Sequence, residues 1–201
     1  MKKYCIIITA LFFIGINAQN KTSLGLRSGV NFSKITHANL ETKTSFYAAA
    51  ILSIKMSELY TLQPELGYSA LGASSKNTNM KDININYITL TVASKFFVKN
   101  TGLHFIAAPS LNFDFDDTLI GLMNRDEGND VTFIDISLIG GIGYDFKNGL
   151  GIEARYSQGL IDVYSGGFHD FLSNQLEDEI QYNSVFQIGL TYKFDLSKKD
   201  N

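Results

Sequence analysis

The chain has no tryptophan, two prolines and one cysteine in 201 residues. The cysteine, Cys5, lies in an apolar run at the start, so the rest has no disulfide or thiolate chemistry to draw on. Beyond that run no segment is apolar for the ~20 residues that a membrane-crossing helix needs. Charged residues make up only 18%, and acids outnumber bases by 20 to 17, which argues against nucleic acid as a partner. Zinc-ligand spacing, a phosphate-binding glycine loop and a dinucleotide fingerprint are all missing, so no cofactor is expected. The glycines Gly140, Gly141 and Gly143 sit within a strand pattern, with no helix pattern after them.

The first residues are Met1, Lys2 and Lys3, followed by an apolar run from Tyr4 to Ile16 and then Asn17-Ala18-Gln19. A basic start, a short greasy stretch and a small residue predict a signal peptide over 1–18, with export by the general secretory pathway. Residues 19–201 are expected to form one domain. Without Lys2 and Lys3, 15 basic residues face 20 acidic ones, a net charge of −5.

Most of the remaining sequence alternates. From Phe186 to Phe194, Phe186, Ile188, Leu190, Tyr192 and Phe194 share one parity, and Gln187, Gly189, Thr191 and Lys193 share the other. Strict period-2 alternation is a strand with two unlike faces. Eight such strands are expected, at Thr22–Lys34, Thr44–Met56, Leu59–Leu71, Asn84–Phe97, Leu103–Phe115, Thr132–Phe146, Leu150–Leu160 and Ser184–Phe194. Each reaches the ~9–11 residues of a tilted crossing. Short connections (Ser57-Glu58, Val98 to Gly102, Lys147 to Gly149) alternate with long ones (Ile35 to Lys43, Gly72 to Ile83, Asp116 to Val131, Ile161 to Asn183). That is the habit of outer-membrane barrels, with both termini on the short-turn, periplasmic side.

Parity alone does not say which face is outside. A soluble ligand-binding barrel would hide the apolar face; a membrane barrel exposes it. Aromatics at strand ends decide for lipid: Tyr60 and Tyr68 bracket Leu62, Pro64 and Leu66, and Phe105 and Phe113 bracket Ala107, Pro109 and Leu111. The other face is built from small residues such as Gly25, Gly29, Gly67, Ala93, Ala108, Ser110 and Gly189, as a narrow lumen requires. The fold class is therefore all-β, an eight-stranded antiparallel transmembrane barrel. Pro64 and Pro109 interrupt strands, and a local bulge is expected at each.

Arg27, Lys55, Glu65, Lys95, Asp114, Asp135, Glu153, Arg155 and Lys193 then share the inward parity. Buried charges must be paired or hydrated, so these nine are expected to form a structural ion-pair network that fills the interior. A small ion or proton path is the functional alternative. His104 also points inward, as a hydrogen-bonded lumen residue, and His37 falls in the first long loop. The last long loop holds Ser165, His169, Asp170 and Ser173, a poor match to a hydrolase site because no nucleophile-elbow spacing accompanies them. Phe168, Phe171, Leu172 and Leu176 fit better as a short helical turn over the barrel mouth. Asp116, Asp117, Asp126, Glu127, Asp130, Glu177, Asp178 and Glu179 put acids in long loops, more simply solvated than calcium-bound. The apolar stretch Thr118 to Met123 is expected to pack on the rim, with contact to a partner as the alternative.

The stretch Ile134-Asp-Ile-Ser-Leu-Ile-Gly-Gly-Ile-Gly-Tyr-Asp-Phe-Lys-Asn-Gly-Leu-Gly-Ile-Glu-Ala-Arg-Tyr-Ser-Gln-Gly-Leu160 resembles a hairpin of the PorT-like outer-membrane β-barrel family of the Bacteroidetes. Leu24-Gly-Leu-Arg-Ser-Gly-Val-Asn-Phe-Ser33 is similar to that family's first strand, and Leu62-Gln-Pro-Glu-Leu-Gly-Tyr-Ser69 to its third. The resemblance implies an eight-stranded barrel among outer-membrane lipid, inserted by the barrel-assembly machinery, with Phe194 as the aromatic insertion signal. The family's namesake serves the export of surface proteases. The expected function is non-enzymatic: surface binding or envelope structure through long extracellular loops. An accessory role in protein export, a rim enzyme and a narrow pore are the alternatives.

Overall fold

The computed structural model describes residues 22–36, 40–74, 83–114, 134–163 and 181–194. Eight strands follow one another: β1 Thr22–Ile35, β2 Glu41–Lys55, β3 Tyr60–Ser74, β4 Ile83–Phe97, β5 Leu103–Asp114, β6 Ile134–Asp145, β7 Leu150–Gly159 and β8 Asn183–Lys193. Each pairs antiparallel with the next, and β1 pairs with β8 from Gly25↔Lys193 to Ile35↔Asn183. The sheet is a closed barrel, so no edge strand leaves its backbone donors unpaired.

Local chemistry sets the tight end. Asn100 has φ 62 in the β4–β5 turn, a left-handed conformation that asparagine tolerates better than most residues. In the β6–β7 turn Gly149 has φ 85, and the Phe146 and Leu150 backbones close the loop. The other end carries the long connections. There β2 and β3 run further than the alternation suggests, to Glu41↔Ser74, past a one-residue register shift between Thr42 and Tyr47. Gly-Ala-Ser at 72–74 reads as the start of a loop from sequence, but Gly72, with φ 135, carries the strand onward.

The prolines behave differently from expectation. Ile51↔Glu65 and Ile54↔Leu62 keep one register across Pro64, as do Thr91↔Ser110 and Ser94↔Ala107 across Pro109. No bulge forms at either site. Each ring simply interrupts the ladder on one side, while Pro64↔Val92 and Pro109↔Leu138 persist on the other.

Burial settles the orientation of the two faces. Leu66, Leu138 and Leu190 are 56%, 56% and 59% exposed, while Arg155 and Lys95 are 1% and 0% exposed. Outward aromatics form two girdles. Tyr60, Phe96, Phe105, Tyr144, Phe146, Tyr192 and Phe194 ring the short-turn end. Phe32, Phe46, Tyr68, Phe113, Tyr156 and Phe186 ring the long-loop end. Aliphatic side chains such as Val30, Leu90, Ile142 and Ile188 fill the band between them, the pattern of a wall that meets hydrocarbon in its middle and headgroups at its margins.

Candidate functional site

The inward face is where polar chemistry collects. Its design rests on glycines set beside bulky side chains within the hydrogen-bonded rows. One row runs Tyr47, Gly29, Gly189, Glu153, Gly143, His104 across β2, β1, β8, β7, β6 and β5. A Cβ on Gly189 would collide with the Tyr47 hydroxyl, and one on Gly143 with the His104 ring. The glycines are the space into which the large polar side chains lie down.

Glu153 is the hub. It accepts hydrogen bonds from Lys95 Nζ at 2.5 Å and Arg155 Nε at 2.8 Å, and Arg155 Nη2 lies 2.7 Å away. Arg155 also grips Glu65 with two hydrogen bonds, Nη1 to Oε2 at 3.0 Å and Nη2 to Oε1 at 2.7 Å. Gln63 donates to the same Glu65 at 2.8 Å. Arg27 approaches Glu153 and Glu65 at 3.6 and 3.9 Å and stacks over the Tyr47 ring, 4.3 Å from its centroid. Its Nη2 donates to Gln187 at 2.7 Å, Gln187 donates to Asn31 at 2.8 Å, and Asn31 donates to Ser69 at 2.9 Å. The bidentate Arg155–Glu65 pair is the geometry in which a buried ion pair best offsets its desolvation cost.

His104 is fully buried beside the hub. Its Nδ1 lies 3.1 Å from the Gly102 carbonyl, which can only accept, so this nitrogen carries the proton when the bond forms. Nε2 stands 3.7 Å from Glu153 Oε1, beyond hydrogen-bonding range. His104, Asp145 and Glu153 bring possible ligand atoms within 4.8 Å of one another. Lys95 and Lys193 already neutralise the two carboxylates, so a dication there would meet two ammonium groups.

The nine inward-parity residues therefore do not all meet. Arg27, Glu65, Lys95, Glu153 and Arg155 form the central cluster. Lys193 pairs with Asp145 near the short-turn end, each about a fifth exposed. Lys55 is exposed at that rim and Asp114 half-buried at the opposite one. Asp135 is buried, opposite Asn112 in the β5–β6 ladder. Sequence reasoning overlooked Tyr47, Asn31 and Gln63, and it placed Gln187 on the polar face without a role, although their parity matches that of Lys55, Arg27, Glu65 and Lys193.

It also overlooked an apolar stopper. Ile35, Leu71, Ala73, Ile85, Tyr87, Val163 and Val185 pack together inside the long-loop end. Between stopper and charges lies a cavity of about 50 Å³, walled partly by Arg27, Arg155, Thr91, Ser110 and Gln187. The signal peptide, His37, the Ser165–Ser173 group, Phe168 to Leu176, the acidic loop residues and Thr118 to Met123 all lie outside the described residues.

Residues 17–165 match the outer membrane protein beta-barrel domain family. The chain belongs to this family. It is an outer-membrane β-barrel. The solved structure of Neisserial surface protein A superimposes with a TM-score of 0.54 at 10% identity, over 88% of this chain and all of that one. The Yersinia pestis outer membrane protein Ail in a phospholipid nanodisc gives 0.52 at 11% identity, over 87% of this chain and all of Ail. At these identities the likeness is one of fold. No curated protein matches the outer-membrane barrel in sequence.

Proposed function

We propose that this barrel is a non-enzymatic scaffold that holds its long connections at the cell surface, for surface binding or envelope structure. The observation that carries this reading is the filled interior. An ion-paired layer around Glu153 and Arg155 and an apolar stopper around Leu71 and Tyr87 block the axis in series. Eight strands enclose just enough room for side chains, and here both layers are made of them. The connections between β3 and β4, β5 and β6, and β7 and β8 all leave from one end and are the long ones. The chain enters the membrane from the periplasm through the barrel-assembly machinery, with Phe194 as part of the recognised end; its backbone N–H already closes onto Leu24.

Two measurements test the scaffold reading. The purified barrel in a planar bilayer is expected to pass no discrete current steps, and regular steps would make it a pore. A deletion strain scored for envelope integrity is expected to leak or to lose surface binding.

An accessory role in surface-protein export is the second reading, supported by the resemblance of the hairpin that forms β6 and β7 to the PorT-like family. Normal export in the deletion strain would remove it. A rim enzyme would require Ser165 and His169, so any hydrolysis by the barrel must vanish when both are replaced.

A further inference from the structure

Arg27 is the cation that the central cluster leaves over. Arg155 is matched by Glu65, and Lys95 by Glu153. Arg27 reaches both carboxylates only at 3.6 and 3.9 Å. A guanidinium has five N–H donors. Arg155 uses Nε, Nη1 and Nη2, whereas among the described residues the one hydrogen bond of Arg27 is Nη2 to Gln187. Arg27 Nε is buried and has no acceptor among the described residues. The Tyr47 ring covers a face of the guanidinium and offers Nε no acceptor. The cluster thus holds three cations against two carboxylates in an interior surrounded by lipid. Among the described residues no ion pair joins Asp135 to it.

The cavity beside Arg27 supplies what an anion needs. Its wall includes Ser137, whose hydroxyl accepts from Asn112 and can turn its proton inward, and Gln187, whose amide gives one of its two N–H bonds to Asn31. Glu65 also borders it, but its two oxygens are engaged by Arg155 and Gln63. About 50 Å³ admits a halide with a water or two, since a single water needs only ~10–15 Å³ by the same measure.

We propose that the lumen binds one small monovalent anion of chloride size against Arg27, as the counter-ion of the charged layer. The site is independent of what the surface loops bind. An anion held by the folded barrel and not by the unfolded chain lowers the unfolding constant by the factor 1 + [anion]/Kd.

The test uses the full barrel refolded in a zwitterionic detergent, with urea unfolding followed at constant ionic strength in mixtures of chloride and gluconate. Above the dissociation constant, each tenfold rise in chloride is expected to lower the unfolding constant about tenfold. The Arg27→Met barrel is expected to show no chloride dependence. Equal stability of the unaltered barrel in chloride and in gluconate overturns the proposal. Crystals of the unaltered barrel refolded in bromide give a second reading that does not require the variant to fold. An anomalous peak beside Arg27 supports the site; ordered water alone, or an adventitious ion only at the surface, overturns it.

Discussion

Replacing Glu153 by glutamine removes the hub's charge and keeps its shape. The unaltered carboxylate accepts from Lys95 at 2.5 Å and from Arg155 at 2.8 Å, with its side chain 1% exposed and that of Lys95 0% exposed. A glutamine has one carbonyl oxygen, so its NH₂ group must face one of these donors. Lys95 or Arg155 then lacks an acceptor, and the cluster carries one more uncompensated cation. Breaking a buried ion pair by removing one partner costs ~3–5 kcal/mol, and Glu153→Gln is expected within that range. Adding Lys95→Met removes the stranded ammonium and is expected to recover ~1–3 kcal/mol, a coupling typical of residues in one network. Urea unfolding in detergent, followed by tyrosine fluorescence, measures both. A single-variant loss under ~1 kcal/mol with no recovery in the double variant means that water already satisfies these groups, and the network account fails.

Other consequences can be measured in the same way. Gly189→Ala drives a methyl into the Tyr47 hydroxyl and the Ser28 carbonyl and is expected to cost ~1–3 kcal/mol as overpacking. Gly140→Ala, with nothing within 4 Å of the new Cβ on the outward face, is expected to be neutral or stabilising by ~0.5–1 kcal/mol; equal losses at the two sites would contradict the space-making role of the inward glycines. Ile188→Arg in the aliphatic band is expected to lose ~2–4 kcal/mol in lipid vesicles, and an unaffected barrel would mean that this face does not meet hydrocarbon. Tyr47→Leu withdraws the ring over Arg27, and a cost of ~2 kcal/mol or more is expected for a desolvated cation–π contact.

Much of the architecture was legible because period-2 alternation is nearly continuous. From Phe186 to Phe194 parity alone assigns each side chain to a face, and the expected strand Ser184–Phe194 differs from β8 by one residue at each end. The ends of β2 and β3 were harder, because a bulge and a positive-φ glycine let them extend through a stretch that reads as loop. Parity also placed Arg27, Glu65, Lys95, Glu153 and Arg155 on one face. It gave no heights or partners, which depend on the stagger between strands. That stagger brings Glu65 of β3 to Arg155 of β7, 90 residues away, and leaves Lys55 at the rim. The stopper was illegible for a different reason: Ile35, Leu71 and Ile85 have inward parity but apolar side chains, and a rule of polar inside and apolar outside has no place for them.

The absence of tryptophan permits a direct test of the sorting of faces, because one introduced indole reports alone. In vesicles of lipid brominated at mid-chain, tryptophan at Leu138 or Leu190 is expected to be strongly quenched, and tryptophan at inward Tyr87 much less. The reverse order, or a barrel that remains dissolved without detergent and is quenched at neither face, would contradict the claim that the outer wall is apolar and the charge lies within.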